Sequence, residues 1–195
     1  IARGKLRGGT AYTRDMDGDL TAGEIVRQLS PELFVSLMLL TMRGLHIVLG
    51  VFWAGTMIFN AVFLVPAIRD AGPDGAKVVA GLMRRRFLDV LPVAAILTIL
   101  SGVWLYWLDS NGFQAPFMRS HMGMTLAFGA LAAVIATVLG VGIVRPAILK
   151  AAALSQDPTQ AAAAQALRVR AAGFGRWVAA LLTVAAAAMA IARYT

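Results

Sequence analysis

Cysteine is absent from this chain of 195 residues, and charged residues are scarce at 14%. The absence of cysteine excludes disulfides, iron–sulfur clusters and thiolate-bound zinc, so any metal must be held by histidine, oxygen ligands or methionine. Soluble domains have about a quarter of their residues charged, whereas 59% of this chain is hydrophobic. The composition therefore predicts an integral membrane protein whose first partner is the lipid bilayer.

The sequence also lacks a nucleophile paired with a base, a phosphate-binding glycine loop and a carboxylate pair within an apolar run. No catalytic residue is therefore assigned. The net charge of +8 comes from short basic clusters at the ends of apolar runs, where they can meet anionic lipid headgroups. We expect no nucleic-acid partner.

Four stretches come near or exceed the length of about 20 mainly apolar residues that a transmembrane helix needs. They cover residues 45–68, 87–108, 122–148 and 177–192. We expect an all-α integral membrane bundle of about four transmembrane helices in domain 42–195. An N-terminal extension, 1–41, precedes it, and its segment 24–41 mixes charged with apolar residues, which favours an interfacial helix. Arg43 and Gly44 should interrupt the helix before the first span.

The loop charges predict the orientation of the spans. Basic residues concentrate in the first-to-second and third-to-fourth connections, and the second-to-third connection has only Arg119. Short cytoplasmic loops are rich in Lys and Arg, so both basic connections should be cytoplasmic and both termini outside. A break in the third-to-fourth connection is expected at Asp157-Pro158. The expected location is the bacterial inner membrane.

The two histidines, His46 and His121, each lie near the start of a span. The first and third helices of an up-and-down bundle run parallel, so both imidazoles should lie near one membrane face. Two facing histidines can bind a b-type haem without covalent attachment. The alternative is that each histidine bonds to water, a backbone carbonyl or lipid at the headgroup boundary.

Residues that could line a cofactor pocket share one face of the first helix. They recur at three- and four-residue spacing, which places them on one side of a helix: His46, Gly50, Trp53, Met57, Asn60 and Leu64. Asn60 lies deep in the span, where an amide must turn inward to a partner. This face could equally serve ordinary helix packing. A similar stripe on the third helix joins His121 to Thr125, Phe128 and Ala132.

Small residues are abundant in the spans, and they predict close helix packing because lipid supplies no hydrophobic drive for helix association. Examples are Gly50 and Gly55 in the first span, Gly129, Gly140 and Gly142 in the third, and the alanines at 185–188 in the fourth.

Residues 13–24 match an EF-hand calcium loop in part. With Thr13 as the first position, Asp15 and Asp17 occupy the third and fifth, Gly18 the sixth, and Glu24 the twelfth. The carbonyl of Asp19 would also bind. Thr13 replaces the usual first aspartate, so calcium is one hypothesis and a solvated acidic turn that caps the next helix is the other.

Two segments resemble a bacterial membrane superfamily that includes the copper-resistance D domain and the HemJ-type protoporphyrinogen oxidases. MRGLHIVLGVFWAGTMIF, at 42–59, is similar to its opening helix, and RRRFLDVLPVAAILTILSGVWLYW, at 84–107, is similar to its second helix. The resemblance implies a helical membrane bundle. For the HemJ-type members it also implies a haem ligand in the first helix, at His46.

Two functions therefore compete. The first is a b-type haem-binding or redox-associated membrane protein active in electron transport. The second is a non-catalytic accessory or structural subunit of a larger respiratory or photosynthetic complex, which the small-residue faces and the lack of catalytic groups favour. A copper or small-solute transporter is a weaker alternative, because no charged pair lies deep in a span.

Overall fold

The computed structural model describes the backbone of residues 22–195 and the side chains of residues 33–195 apart from Pro73. All regular structure in this part of the chain is helical, which confirms the all-α prediction. The described residues up to Met38 belong to one unit, and Leu39–Thr195 form a second. The contacts discussed below lie within the second unit.

Eight α-helices follow one another along the described residues. They are α1 (Ala22–Phe59), α2 (Val65–Asp70), α3 (Gly75–Arg84), α4 (Phe87–Asp109), α5 (Ala115–Met118), α6 (His121–Leu139), α7 (Arg145–Leu154) and α8 (Ala161–Ile191). Short 3₁₀ turns lie at Gly72–Asp74, Pro158–Gln160 and Ala192–Tyr194, and π turns at Asn60–Leu64 and Gly140–Val144.

Within the described residues, four helical stretches are long and apolar enough to cross a membrane. They are Leu33–Asp70, Phe87–Asp109, His121–Leu154 and Pro158–Tyr194. A helix pairs its own backbone polar groups, so each stretch can enter hydrocarbon without unpaired N–H or C=O groups. The prediction of a multi-pass bundle of four spans is confirmed.

The helix α1 is continuous through Arg43 and Gly44, so the predicted interruption at these residues is wrong. A glycine inside a helix costs only about 1 kcal/mol, which is too little to break a helix of 38 residues. The guanidinium of Arg43 pairs with the Asp109 carboxylate at 2.8 Å, so its charge is compensated. The interfacial placement of residues 24–41 stays a prediction.

The first and third spans each contain a π turn that ends two residues before a proline. The turns are Asn60–Leu64 and Gly140–Val144, and the sequences Pro-Ala-Ile begin at Pro66 and Pro146. A proline within a helix has no N–H to donate and its ring crowds the carbonyl four residues earlier. Widening the preceding turn accommodates both effects, so each span continues as a helix past its proline.

The connection between the third and fourth spans breaks at Asp157, as the sequence predicted. The Asp157 carboxylate accepts hydrogen bonds from the Thr159 hydroxyl at 2.7 Å and the Thr159 N–H at 2.9 Å. The hydrogen bond from the Thr159 hydroxyl, and then that from the Thr159 N–H, hold the pKa of Asp157 below its ordinary value. Beyond this turn α8 runs from Ala161 to Ile191, so the Ala-rich extension and the fourth span are one helix.

The third and fourth spans pack through small residues, as predicted at Gly129. A Cβ at Gly129 would lie 3.1 Å from Ala188 Cβ and 3.2 Å from the Ala185 carbonyl oxygen. The buried core at this contact consists of alanines and a few larger residues, among them Ala132, Ala133, Ala136, Val178 and Leu182. Gly55, Gly140 and Gly142 have no atom within 4 Å of a Cβ position, so they mark no close packing within the chain.

The two basic connections meet at one end of the bundle. Arg145, at the start of α7, pairs with Asp89 in the first turn of α4 at 2.8 Å and donates from Nε to the Leu88 carbonyl at 3.1 Å. The start of α4 and the start of α7 therefore lie together. This places both connections on one side, as the loop charges predicted, while the compartment they face stays a prediction.

Candidate functional site around His46

His46 lies on the face of α1 that contacts α4. Its Nδ1 is 2.9 Å from the backbone carbonyl oxygen of Thr98 and 3.0 Å from Ser101 Oγ. The side chain is half-buried. His46, which lies near the start of the predicted first span, is therefore hydrogen-bonded to the second span.

The hydrogen bonds around His46 fix which ring nitrogen carries the proton. A carbonyl oxygen only accepts, so Nδ1 must donate to Thr98. The Ser101 hydroxyl lies 2.7 Å from the Leu97 carbonyl and 3.0 Å from the Thr98 carbonyl, so it donates within α4 and offers Nδ1 only lone pairs. The tautomer is inferred from these partners. In the neutral imidazole, Nε2 then carries the free lone pair.

Nε2 of His46 has no hydrogen-bond partner among the described residues. No fully buried side-chain nitrogen or oxygen in this part of the chain lacks a partner, so Nε2 is not sealed inside the bundle. An imidazole whose Nδ1–H is held by a backbone carbonyl, with Nε2 open, is the form in which histidine binds metals in proteins.

Gly102 makes room for the imidazole against α4. A Cβ at this position would lie 2.8 Å from His46 Cε1 and 3.4 Å from Nδ1, so a larger residue would displace the ring. Thr98, Ser101 and Gly102 share one face of α4 because they are three and four residues apart. The second span thus presents a notch shaped for the ring, and we name these three residues the α4 notch.

Two side-chain contacts join the spans between the α4 notch and the C-terminal end of α4. Arg43 pairs with Asp109, the last residue of α4, at 2.8 Å. The Tyr106 hydroxyl donates to the Gly123 carbonyl in α6 at 3.2 Å. Arg43 and Tyr106 therefore set how far α1 and α6 are shifted along α4.

His121 is at a different depth from His46. Because Tyr106 is opposite Gly123, His121 is level with the end of α4, whereas His46 is level with the α4 notch. The difference is about 6–10 residues along α4, about 9–15 Å at about 1.5 Å per residue. His121 is exposed, and its backbone carbonyl accepts from the Thr125 hydroxyl at 2.8 Å. None of the hydrogen bonds of the described residues joins the two imidazoles, and joint ligation stays a prediction.

The other predicted residues of the first span have different surroundings. Gly50 faces α4, since a Cβ there would lie 3.5 Å from Thr98 Cγ2. Trp53 is 5% exposed within the core cluster, which favours a packing role for its ring. Asn60 opens the first π turn, is half-buried and has no side-chain hydrogen bond to a described residue. The prediction that this face turns into the bundle is confirmed at Gly50 and Trp53.

The predicted stripe on the third helix does not face the bundle as a whole. Ala132 is buried, but Phe128 is 60% exposed and His121 is exposed. The inward face of α6 instead runs through Gly129, where it meets α8. The fourth span packs against the Gly129 face of α6 and not against the predicted stripe. The periodicity of the α6 sequence alone could not show which face the fourth span contacts.

No three His, Asp or Glu side chains come together to hold a metal ion within residues 33–195 apart from Pro73. A cofactor that needs one or two protein ligands, such as haem, is the kind of metal site that His46 can serve. The predicted calcium ligands Thr13, Asp15, Asp17 and Asp19 lie outside the described residues. Glu24 is in α1, but its side chain is also outside them, so the calcium hypothesis stays a prediction.

Sequence reasoning missed the α4 notch. A signal was present, because Thr98, Ser101 and Gly102 are polar or small residues in the middle of an apolar span and fall on one helical face. The ion pair between Arg43 and Asp109 was missed as well, since nothing local to either residue indicates its partner.

Comparison with known proteins supplies no relative. No protein-family model, no curated protein and no solved structure matches this chain.

Proposed function

We propose that this chain is a redox-associated membrane protein of the bacterial inner membrane that binds a b-type haem through Nε2 of His46. The observation that carries the proposal is the hydrogen bond from His46 Nδ1 to the Thr98 carbonyl. It holds the ring in the tautomer that a haem iron requires and leaves Nε2 free to bind.

The surroundings of His46 also suit an axial ligand. The α4 notch fixes the ring plane against one helix, so little rotational freedom is lost on ligation. The two hydroxyls of the notch already bond within α4 and do not compete for Nε2. When bound, a haem supplies one-electron transfer between ferric and ferrous iron. The part of the chain is to hold the iron and to set the polarity of its surroundings.

His121 is the second candidate ligand. His121 lies near the C-terminal end of α4, and its side chain is exposed and so accessible to a ligand. A haem held by His46 alone would be high-spin, whereas one held by both histidines would be low-spin. The spin state therefore reports on His121 separately from His46.

The test is an absorption and electron paramagnetic resonance spectrum of the protein purified from cells supplied with a haem precursor. We expect a b-type band that His46→Ala removes while the protein stays in the membrane, because a coordination bond is lost with little packing. His46→Gly should recover the band when free imidazole is added. Trp53→Phe is the matched control on the same helix face and should keep the band.

A wild-type protein without a b-type band contradicts the haem proposal. So does a band of unchanged intensity and spin state in His46→Ala. A band that His121→Ala leaves high-spin and unchanged assigns ligation to His46 alone, which refines the proposal without overturning it.

A second candidate function is that of an accessory subunit in a larger respiratory or photosynthetic membrane complex. The first span is the observation in its favour. In its most apolar stretch 6% of residues are buried, against 28% in the fourth span, and Phe52, Phe59 and Phe63 are 46–61% exposed. Partner helices and lipid tails can both cover such a surface.

Purification under mild conditions separates the two functions. A C-terminal affinity tag on the protein expressed in its own membranes would bring a defined set of membrane subunits in fixed stoichiometry if it is an accessory subunit. Substitution of Phe63 by Ser should then release those subunits, whereas Tyr194→Ser, at an exposed site in the C-terminal turn, should not. Purification as a single chain that carries a b-type band favours the haem function alone.

A further inference from the structure

An open groove of about 340 Å³ runs between the first two spans. Leu49 and Phe52 of α1 form one wall, and Val90, Val93 and Leu97 of α4 form much of the other. Phe52, Val90, Val93 and Leu97 are each 45–55% exposed, so the groove opens sideways to the bilayer. Its volume is at the lower end of the range of small-ligand sites.

One end of the groove is charged and the other is apolar. Arg86 and Asp89 lie at the charged end, and Leu97, the residue before the α4 notch, lies at the other. Along α4 this is a length of about 16 Å at about 1.5 Å per residue. That length is close to one leaflet, half of the hydrocarbon thickness of about 30 Å.

The charged end has a surplus of positive charge. Asp89 is compensated by Arg145 at 2.8 Å. Arg84, Arg85 and Arg86 are all exposed, and none of the three ion pairs among the described residues includes them. Arg86 has a left-handed backbone, with φ 54° and ψ 29°, at the reversal from α3 into α4. Arg86 also lines the groove at its charged end.

We propose that this groove is a binding site for one anionic phospholipid, with its phosphate at Arg86 and an acyl chain along Val93 towards Leu97. The charge complementarity at Arg86 and the leaflet length of the apolar part carry the assignment. A zwitterionic lipid would satisfy the apolar part but bring its own cation to the arginines. A second protein helix is the competing occupant. The proposal does not depend on haem.

Native mass spectrometry of the detergent-purified protein tests the headgroup. Phosphatidylglycerol and phosphatidylcholine with identical acyl chains are added in turn, and we expect one phosphatidylglycerol per chain to be retained in preference. Arg86→Gln should weaken that binding about fivefold, the effect of one basic residue near a lipid surface. Arg84→Gln, in the same basic triplet but outside the groove lining, is the matched control and should weaken it less. Equal binding of the two lipids would overturn the proposal, as would equal effects of the two substitutions.

A second pair of variants tests the groove itself. Val93→Trp should fill it and displace the bound lipid, whereas Val103→Trp, on another face of α4 at similar exposure, should not. Retention of the lipid by Val93→Trp contradicts the groove assignment. A photo-crosslinking residue at Val93 in native membranes completes the test. Adducts of lipid mass support the proposal, and a crosslink to another protein chain overturns it in favour of a partner helix.

Discussion

Replacing Gly102 by alanine tests the contact on which the His46 site depends. The new Cβ would lie 2.8 Å from His46 Cε1, so the ring must retreat by about 0.6 Å to reach the 3.4 Å at which ordinary contact begins. The same movement draws Nδ1 away from the Thr98 carbonyl, now at 2.9 Å. The substitution therefore adds crowding and weakens one hydrogen bond between the two spans.

The expected loss of stability in Gly102→Ala can be compared with that of a matched control, Gly55→Ala. Overpacking of a tight contact costs about 1–3 kcal/mol, and an interhelical hydrogen bond in a membrane protein contributes about 0.6 kcal/mol on average. Alanine also favours a helix over glycine by about 1 kcal/mol. Gly55→Ala makes the same chemical change at a site with no atom within 4 Å. We therefore expect Gly102→Ala to be less stable than Gly55→Ala by about 1–3 kcal/mol.

The assay is reversible unfolding in mixed micelles, repeated in a His46→Ala background. With the ring absent, the three atoms nearest to the new methyl group at Gly102 are gone, so the penalty should disappear in the double-mutant cycle. The same Gly102→Ala protein should hold haem about 10- to 100-fold more weakly if the haem proposal holds, because the ligand's supporting contact is lost. An equal penalty with and without the imidazole would refute the idea that Gly102 exists to seat His46.

Three further predictions concern packing, titration and topology. Gly129→Val should destabilise the contact of α6 with α8 by about 1–3 kcal/mol, measured by the same unfolding assay, while Gly142→Val should have a smaller effect because no atom approaches it. The depressed pKa of Asp157 gives stability that is present above its ordinary value of 3.8 and is lost as pH falls through the folded value; carbon-detected NMR titration of the carboxyl group checks this, and an unshifted titration contradicts it. Because the chain has no cysteine, single cysteines at Asn111 and Asp74 should label from opposite membrane faces, and labelling of both from one face would exclude the four-span topology.

The sequence predicted the spans because a transmembrane helix forms through interactions between residues that are close in sequence. Each helix satisfies its own backbone hydrogen bonds in lipid, so a sufficient apolar run decides where a span lies. The same local logic located the break at Asp157, where the side chain competes for the backbone N–H of Thr159. It failed at Arg43 and Gly44, because a distant carboxylate, Asp109, compensates the charge.

The candidate site was predicted only in part. The choice of His46 as a candidate and the inward face of α1 at Gly50 and Trp53 followed from residue type and helical spacing. The depth of the two histidines did not, because a shift of one helix along another depends on contacts such as that between Tyr106 and Gly123.

The sequence by itself determined that this chain is a four-span helical membrane protein with its basic connections on one side. Hydropathy, proline positions and loop charge act within a few residues of the sequence. Their effects can be predicted without knowing which helices pack together. Only the tertiary structure decided that His46 bonds to the α4 notch with Nε2 free and that His121 lies apart from it. The reason is that lipid gives no general drive for helix association, so pairing depends on the fit of particular faces. Here that fit is the space that Gly102 leaves for one imidazole ring.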